Sequence, residues 1–128
     1  MTARLTRGLL AAALLFAPAV ANAQGMGQKP EGKEVTVTGV VVDVSCKFGQ
    51  GLTGEGHRMC AQVCADRGIP LAILTDDGKL YIPTSAAMPG DAQNPRLKEY
   101  AEQRVTVKGK AFSAGGAQAL EIATIERA

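Results

Sequence analysis

The stretch CKFGQGLTGEGHRMCAQVC, residues 46–64, contains all three cysteines of the chain and its single histidine. Thiolate and imidazole are the side-chain groups that bind borderline and soft metal ions most readily. Their spacing makes them a candidate site. His57, Cys60 and Cys64 stand at i, i+3 and i+7, and on a helix these positions share one face within two turns. Cys46 precedes them by a glycine-rich connection long enough to fold it back onto that face. Cys46, His57, Cys60 and Cys64 are therefore expected to converge as a tetrahedral Cys3His metal site. A closed set of this kind reads as structural zinc. A thiolate-rich set also suits Cu(I), which makes copper the alternative. Met59 adds a thioether beside Cys60, but an ideal helix turns it about 100° away.

Two other chemistries use the same residues. Thiols of exported proteins tend to oxidise. A disulfide from Cys46 to Cys60 or Cys64 would tie the first strand to the helix and contribute about 3 kcal/mol in the chain-entropy model. A Cys60–Cys64 bridge within one helical turn fits poorly, because the helix holds those side chains roughly parallel. Any single bridge leaves one cysteine over, and an odd cysteine points to a metal, a reactive thiol or intermolecular pairing. The chain is then an exported interaction module stapled by a disulfide. The other chemistry is thiol redox work by Cys60 and Cys64, which requires a lowered thiol pKa. His57 alone also reads as an ordinary surface or helix-entry residue. At the level of residues these readings stay open.

Further catalytic chemistry has little support, so a non-enzymatic role is expected. A cysteine nucleophile would have only His57 as a histidine base. Asp76 and Asp77 are adjacent where a turn explains them. The loop GQGLTGEG, residues 49–56, lacks the Lys-Ser or Lys-Thr of a phosphate-binding P-loop and the G-x-G-x-x-G of a dinucleotide turn. No Cys-x-x-Cys-His for covalent haem occurs.

The chain opens MTARLTRGLLAAALLFAPAVANAQG. Arg4 and Arg7 precede a short apolar run that Pro18 interrupts, and Ala21-Asn22-Ala23 is an A-x-A cleavage site. This is the pattern of a secretory signal peptide over residues 1–23. The apolar run falls short of the about 20 residues a bilayer span needs. The mature chain is expected to be bacterial, periplasmic or secreted, and not held in the membrane after cleavage. Of the 14 Lys and Arg, two leave with the signal, so the remainder balance the 12 Asp and Glu. A basic excess of the kind that drives phosphate binding is therefore absent, and the few aromatic residues are scattered. No nucleic-acid partner is expected. The expected ligand is a metal ion, and any protein partner is left unnamed.

The rest of the mature chain is the size of one domain and must position these ligands. Residues 24–32 read as a disordered lead-in and 33–128 as the domain. EVTVTGVVVDVSC is a β-branched strand, with Val35, Val37, Gly39, Val41 and Asp43 on one side and Gly39 marking a bend or bulge. Cys46 stands at its end. HRMCAQVCADR is a short helix closed by Gly68, with Met59, Val63 and the cysteines on its less polar side. LAILT and LYIP form a hairpin about Asp77-Gly78. Asn94 caps a helix over PRLKEYAEQ, with Leu97, Tyr100 and Ala101 as its apolar stripe. RVTVKGKAF and QALEIATIE are the last strands, with Leu120 and Ile122 on one face. Five short antiparallel strands with a helix before the fourth is the order of an OB-like barrel. The fold is thus mainly β with short helices, a five-stranded OB-like barrel with a Cys/His helix inserted after the first strand.

Two resemblances accompany this reading. The arrangement V-T-G-x-V-V-D-x-x-C (Val37 to Cys46), H-x-x-C-A-x-x-C (His57 to Cys64), x-x-G-x-P-L-A-x-L through Leu74, D-G-K-x-Y (Asp77 to Tyr81) and V-T-V-K-G (Val105 to Gly109) resembles a group of small exported bacterial proteins of uncharacterised function with OB-like barrels. It covers most of the mature chain. It implies that fold and implies that the three cysteines act as a unit, with no activity or ligand attached. Cys60-Ala-Gln-Val-Cys64 also resembles the Cys-x3-Cys copper motif of Sco-type chaperones. Those proteins have a thioredoxin-like fold and a distant downstream histidine, and no histidine follows His57 here.

Overall fold

A computed structural model describes residues 30–128. The signal-peptide segment, residues 1–23, and most of the expected lead-in lie outside the described residues. Five strands, β1 (Lys33–Asp43), β2 (Leu71–Thr75), β3 (Leu80–Thr84), β4 (Arg104–Ala114) and β5 (Ala117–Arg127), close into a barrel in the order β1-β2-β3-β5-β4. Two short helices, α1 (Val44–Gln50) and α2 (Arg58–Asp66), lie between β1 and β2, and α3 (Asn94–Leu97) lies between β3 and β4. The mainly β barrel with its inserted Cys/His helix is the expected architecture.

The expectation of a wholly antiparallel set is corrected, since β3 and β5 pair in parallel. A ring with an odd number of strands cannot alternate direction at every step. β1–β2, β2–β3, β1–β4 and β4–β5 are antiparallel. Those four pairings leave β3 and β5 running the same way, and closure must join them so.

β1 is long because it serves two neighbours. Lys33 to Val40 pairs with β4, and Gly39 to Asp43 pairs with β2. Gly39 falls where the two pairings overlap, and a Cβ there would meet the Leu74 carbonyl oxygen at 2.5 Å. The register shift occurs not at Gly39 but at Lys108/Gly109, between β4 and β5. There a Cβ on Gly109 would sit 2.0 Å from the Glu121 carbonyl oxygen. The two glycines stand at matching points of the similar segments EVTVTGVVV and RVTVKGKAF, and both let another backbone approach closely.

The core gathers Val37 and Val41 of β1, Leu71 and Ile73 of β2, Val105 and Val107 of β4, and Leu120 and Ile122 of β5. Leu97 closes it, with Tyr100 packed against it and Ala101 fully buried, so the stripe assigned to this segment does face inward. The segment itself is shorter than the expected helix: α3 gives way to a 3-10 turn at Lys98–Tyr100. The Asn94 side chain does not cap it. Its Oδ1 accepts from the Leu71 amide at 3.0 Å, and its Nδ2 donates to the carbonyls of Ala65 at 3.0 Å and Ile69 at 2.7 Å. The chain after Tyr100 is drawn into the sheet, where Ala101 bridges Val41 and the Glu102 amide donates to the Val41 carbonyl at 2.7 Å.

Candidate metal centre

The strand predicted to carry Cys46 stops at Asp43. The Asp43 carboxylate caps α1, its Oδ1 accepting from the Cys46 amide at 2.9 Å, and Gly51 closes that helix in the left-handed region at φ 69°. Asp-Val-Ser-Cys is a helix start, with the capping carboxylate three residues before the amide it satisfies. Cys46 therefore rides on a helical turn and not on an extended strand. The following loop is fixed from the barrel. Glu102 Oε2 accepts from Thr53 Oγ1 at 2.9 Å and from the Gly54 amide at 2.8 Å. A 3-10 turn, Glu55–His57, then leads into α2.

α2 ends as the sequence indicates. Gly68 has φ 88°, its amide donates to the Ala65 carbonyl, and the Ile69 amide reaches back to the Cys64 carbonyl. The packing faces differ from the expectation. Ala61 and Ala65 form the buried side, whereas Met59 is 78% exposed and Val63 45% exposed. Small residues fit there because a second side of the helix is held close by hydrogen bonds. Gln62 Nε2 donates to the Lys98 carbonyl and Arg58 Nη2 to the Glu99 carbonyl, while Lys98 pairs with Asp66. The polar residues Arg58, Gln62 and Asp66 thus dock the helix.

This scaffold brings the candidate ligands into two groups. One ligand atom from each of Cys46, His57 and Cys60 lies within 4.8 Å of the other two. The same holds for Asp43, Cys46 and Cys64. In a tetrahedral zinc site two thiolates about 2.3 Å from the metal sit roughly 3.8 Å apart, and each group is compact enough that it could hold an ion. His57 is 8% exposed, not a surface histidine, and its Nε2 is buried without a hydrogen-bond partner. Cys60 is exposed, and Cys46 and Cys64 are half-buried. All three thiols are unbridged.

Asp43 is the residue that sequence reasoning missed. It is fully buried, and although Oδ1 is satisfied, Oδ2 has no partner of hydrogen-bond geometry. No ion pair among the described residues involves it. Its place among the inward positions of β1 was legible, and a carboxylate facing a barrel core is itself a signal, because a buried charge needs a partner. Its carboxylate acts on both neighbouring thiols. The Cys64 thiol is pushed up to about 12, first by the Asp43 carboxylate beside it, which favours the protonated thiol, and then by burial. The Cys46 thiol is raised by burial first and by Asp43 second. Raised thiols are poor nucleophiles at neutral pH, the reverse of what redox work by Cys64 requires.

Asp76 and Asp77 form no catalytic pair. Arg104 holds the Asp76 carboxyl below its ordinary value, and a hydrogen bond from Thr75 does the same for Asp77 within the hairpin turn. Comparison of the chain with protein-family models, with curated proteins and with solved structures finds no match.

Proposed function

We propose that this is an exported, non-enzymatic metal-binding protein of the OB-like barrel type, whose inserted helices hold a thiophilic ion through Cys46, His57 and Cys60, the candidates that come together, with Cys64 as the fourth candidate ligand grouped with Cys46. The observation that carries this reading is the grouping of Cys46, His57 and Cys60, in which His57 is buried and its Nε2 has no hydrogen-bond partner. A metal ion supplies what that nitrogen lacks. Zinc fits the mixed thiolate and imidazole donors and serves as a structural ion. Cu(I) fits the thiolates equally well and would make the protein a carrier or buffer. The exposed Cys60 leaves the ion within reach of solvent. The pattern of the first residues supports export to the periplasm or beyond.

The test is the intact native mass of protein purified from the periplasm without chelator. A mass raised by zinc or copper with reduced thiols supports the proposal. A metal-free mass about 2 Da below the reduced value, one disulfide's loss of two hydrogens, overturns it for that state. A second reading, an exported interaction module, draws on Phe48, Leu52, Met59 and Val63, apolar residues exposed on the same insertion. Cys46→Ser separates the two. It weakens metal affinity in the first case. In the disulfide-stapled module it lowers stability in a way that reductant reproduces in the parent protein.

A further inference from the structure

We propose that the insertion holds two divalent ions bridged by the Cys46 thiolate, the first on Cys46, His57 and Cys60 and the second on Asp43, Cys46 and Cys64. The inference rests on the metal-binding function above, and extends it from one ion to two and from four ligands to five.

Geometry is the first ground. The five candidate ligands do not crowd one point. They fall into two triads that share only Cys46, and neither triad admits a fourth member within the same 4.8 Å limit. Ligand atoms of one zinc ion are at most about 4.6 Å apart, so one ion cannot take all five without larger movements. A thiolate sulfur has lone pairs enough to bind two metals at once, and Cys46 is the residue both triads need.

Unsatisfied atoms are the second ground. Each triad contains one residue with a buried polar atom that lacks a hydrogen-bond partner, His57 through Nε2 in the first and Asp43 through Oδ2 in the second. These are different places, and one ion does not serve both. Charge is the third ground. With each ligand in its metal-binding form, three thiolates and a carboxylate bring four negative charges. Two divalent cations balance them. One cation in the first triad leaves Asp43, at the core end of β1 with no cationic side chain paired to it, uncompensated, and a buried carboxylate in that condition is strongly disfavoured. Each ion then has three protein ligands and one open position, which solvent fills at the exposed Cys60 side.

The experiment titrates the reduced, purified mature protein with Zn2+ and follows native mass, then repeats the loading with 113Cd2+ for NMR. The expected result is saturation at two ions and two cadmium resonances split by coupling through the shared sulfur. Cys60→Ser and Cys64→Ser each cut the stoichiometry to one and abolish the splitting, leaving opposite resonances. Asp43→Asn does the same as Cys64→Ser. Should that buried substitution prevent folding, the Cys64→Ser result and the unmodified stoichiometry decide alone. Saturation at a single ion, or two resonances without coupling, overturns the bridge while the metal function stands. No bound ion at all removes the metal function itself.

Discussion

Cys64 and Cys60 should differ in reactivity although they lie one turn apart. Cys60 is exposed, whereas the Asp43 carboxylate keeps the Cys64 proton in place and lifts that thiol to about 12. Only thiolate is alkylated, so in the metal-free reduced protein at pH 8 Cys60 should label with iodoacetamide well before Cys64. Asp43→Asn removes the negative charge that favours the protonated form. Each unit by which the thiol then falls raises its thiolate fraction about tenfold. The expected outcome is Cys64 labelling at least ~10-fold faster in that variant, read by peptide mass spectrometry with time. An unchanged rate would mean that burial, and not the carboxylate, holds the proton. The same raised thiol fixes a direction for stability. Its folded-state value exceeds the ordinary 9.0, so its contribution is complete below 9.0 and is lost as pH climbs toward about 12. Metal affinity runs the other way. Cys46 and Cys64 must each give up a proton to bind, so an ion loaded at pH 8 should be released on acidification, which a colorimetric chelator reports.

At the scale of elements, Asn94 has more influence on the site than its distance in sequence suggests. Its amide joins the end of α2, the loop after it and the start of β2 through three hydrogen bonds. Asn94→Ala leaves the Leu71 amide and two carbonyls without these partners. It should cost ~1–3 kcal/mol in urea unfolding and weaken metal binding by loosening the helix that carries Cys60 and Cys64 and follows directly on His57. Full stability in that variant would show that the Schellman closure at Gly68 suffices. The sequence marks Asn94 as a helix cap, because Asn-Pro before an apolar stripe is what a helix start looks like. Tertiary contact takes the side chain elsewhere. Strand alternation, the Asp-Gly turn and the Gly68 stop are local signals, and all appear as read. The parallel β3–β5 pair is a property of the closed ring and has no local signature. Asp43 was readable as inward-facing, yet its role depends on α1 starting at once, and the β-branched run conceals that. Glu102 is the hardest case. It lies 48 residues from the Gly54 amide it holds, and adopts φ 59° in doing so. Glu102→Gln keeps an acceptor oxygen and should spare the loop, whereas Glu102→Ala should free residues 51–57 and slow metal loading, read by stopped-flow competition with a chromophoric chelator.

Across the whole molecule, the barrel and the Cys/His insertion differ in how they are stabilised. The core cluster draws on all the strands except β3 and takes Ala65 alone from the inserted helices. α1 has no buried residue, and α2 buries only alanines. The insertion is held by directional contacts, the Asn94 and Glu102 hydrogen bonds and the docking of Gln62 and Arg58, and by its ions if they are bound. Segments with few apolar contacts open at lower free energy than the core they sit on. Removing metal with a chelator should therefore leave the barrel folded. Amide exchange should accelerate by at least ~10-fold over residues 44–66 while the paired stretches of β1, β4 and β5 keep their protection. Far-UV circular dichroism should lose a small helical component and retain its strand signal. The apparent stability of the insertion should then climb with free Zn2+, by about 2.7 kcal/mol at a hundredfold excess over Kd. Global unfolding on chelation would place the ions in the core's own energetics, as in a zinc finger, and the barrel would then depend on them. Uniform protection with and without metal would mean that Asn94 and Glu102 alone fix the helices, and that the thiols are held ready before any ion arrives.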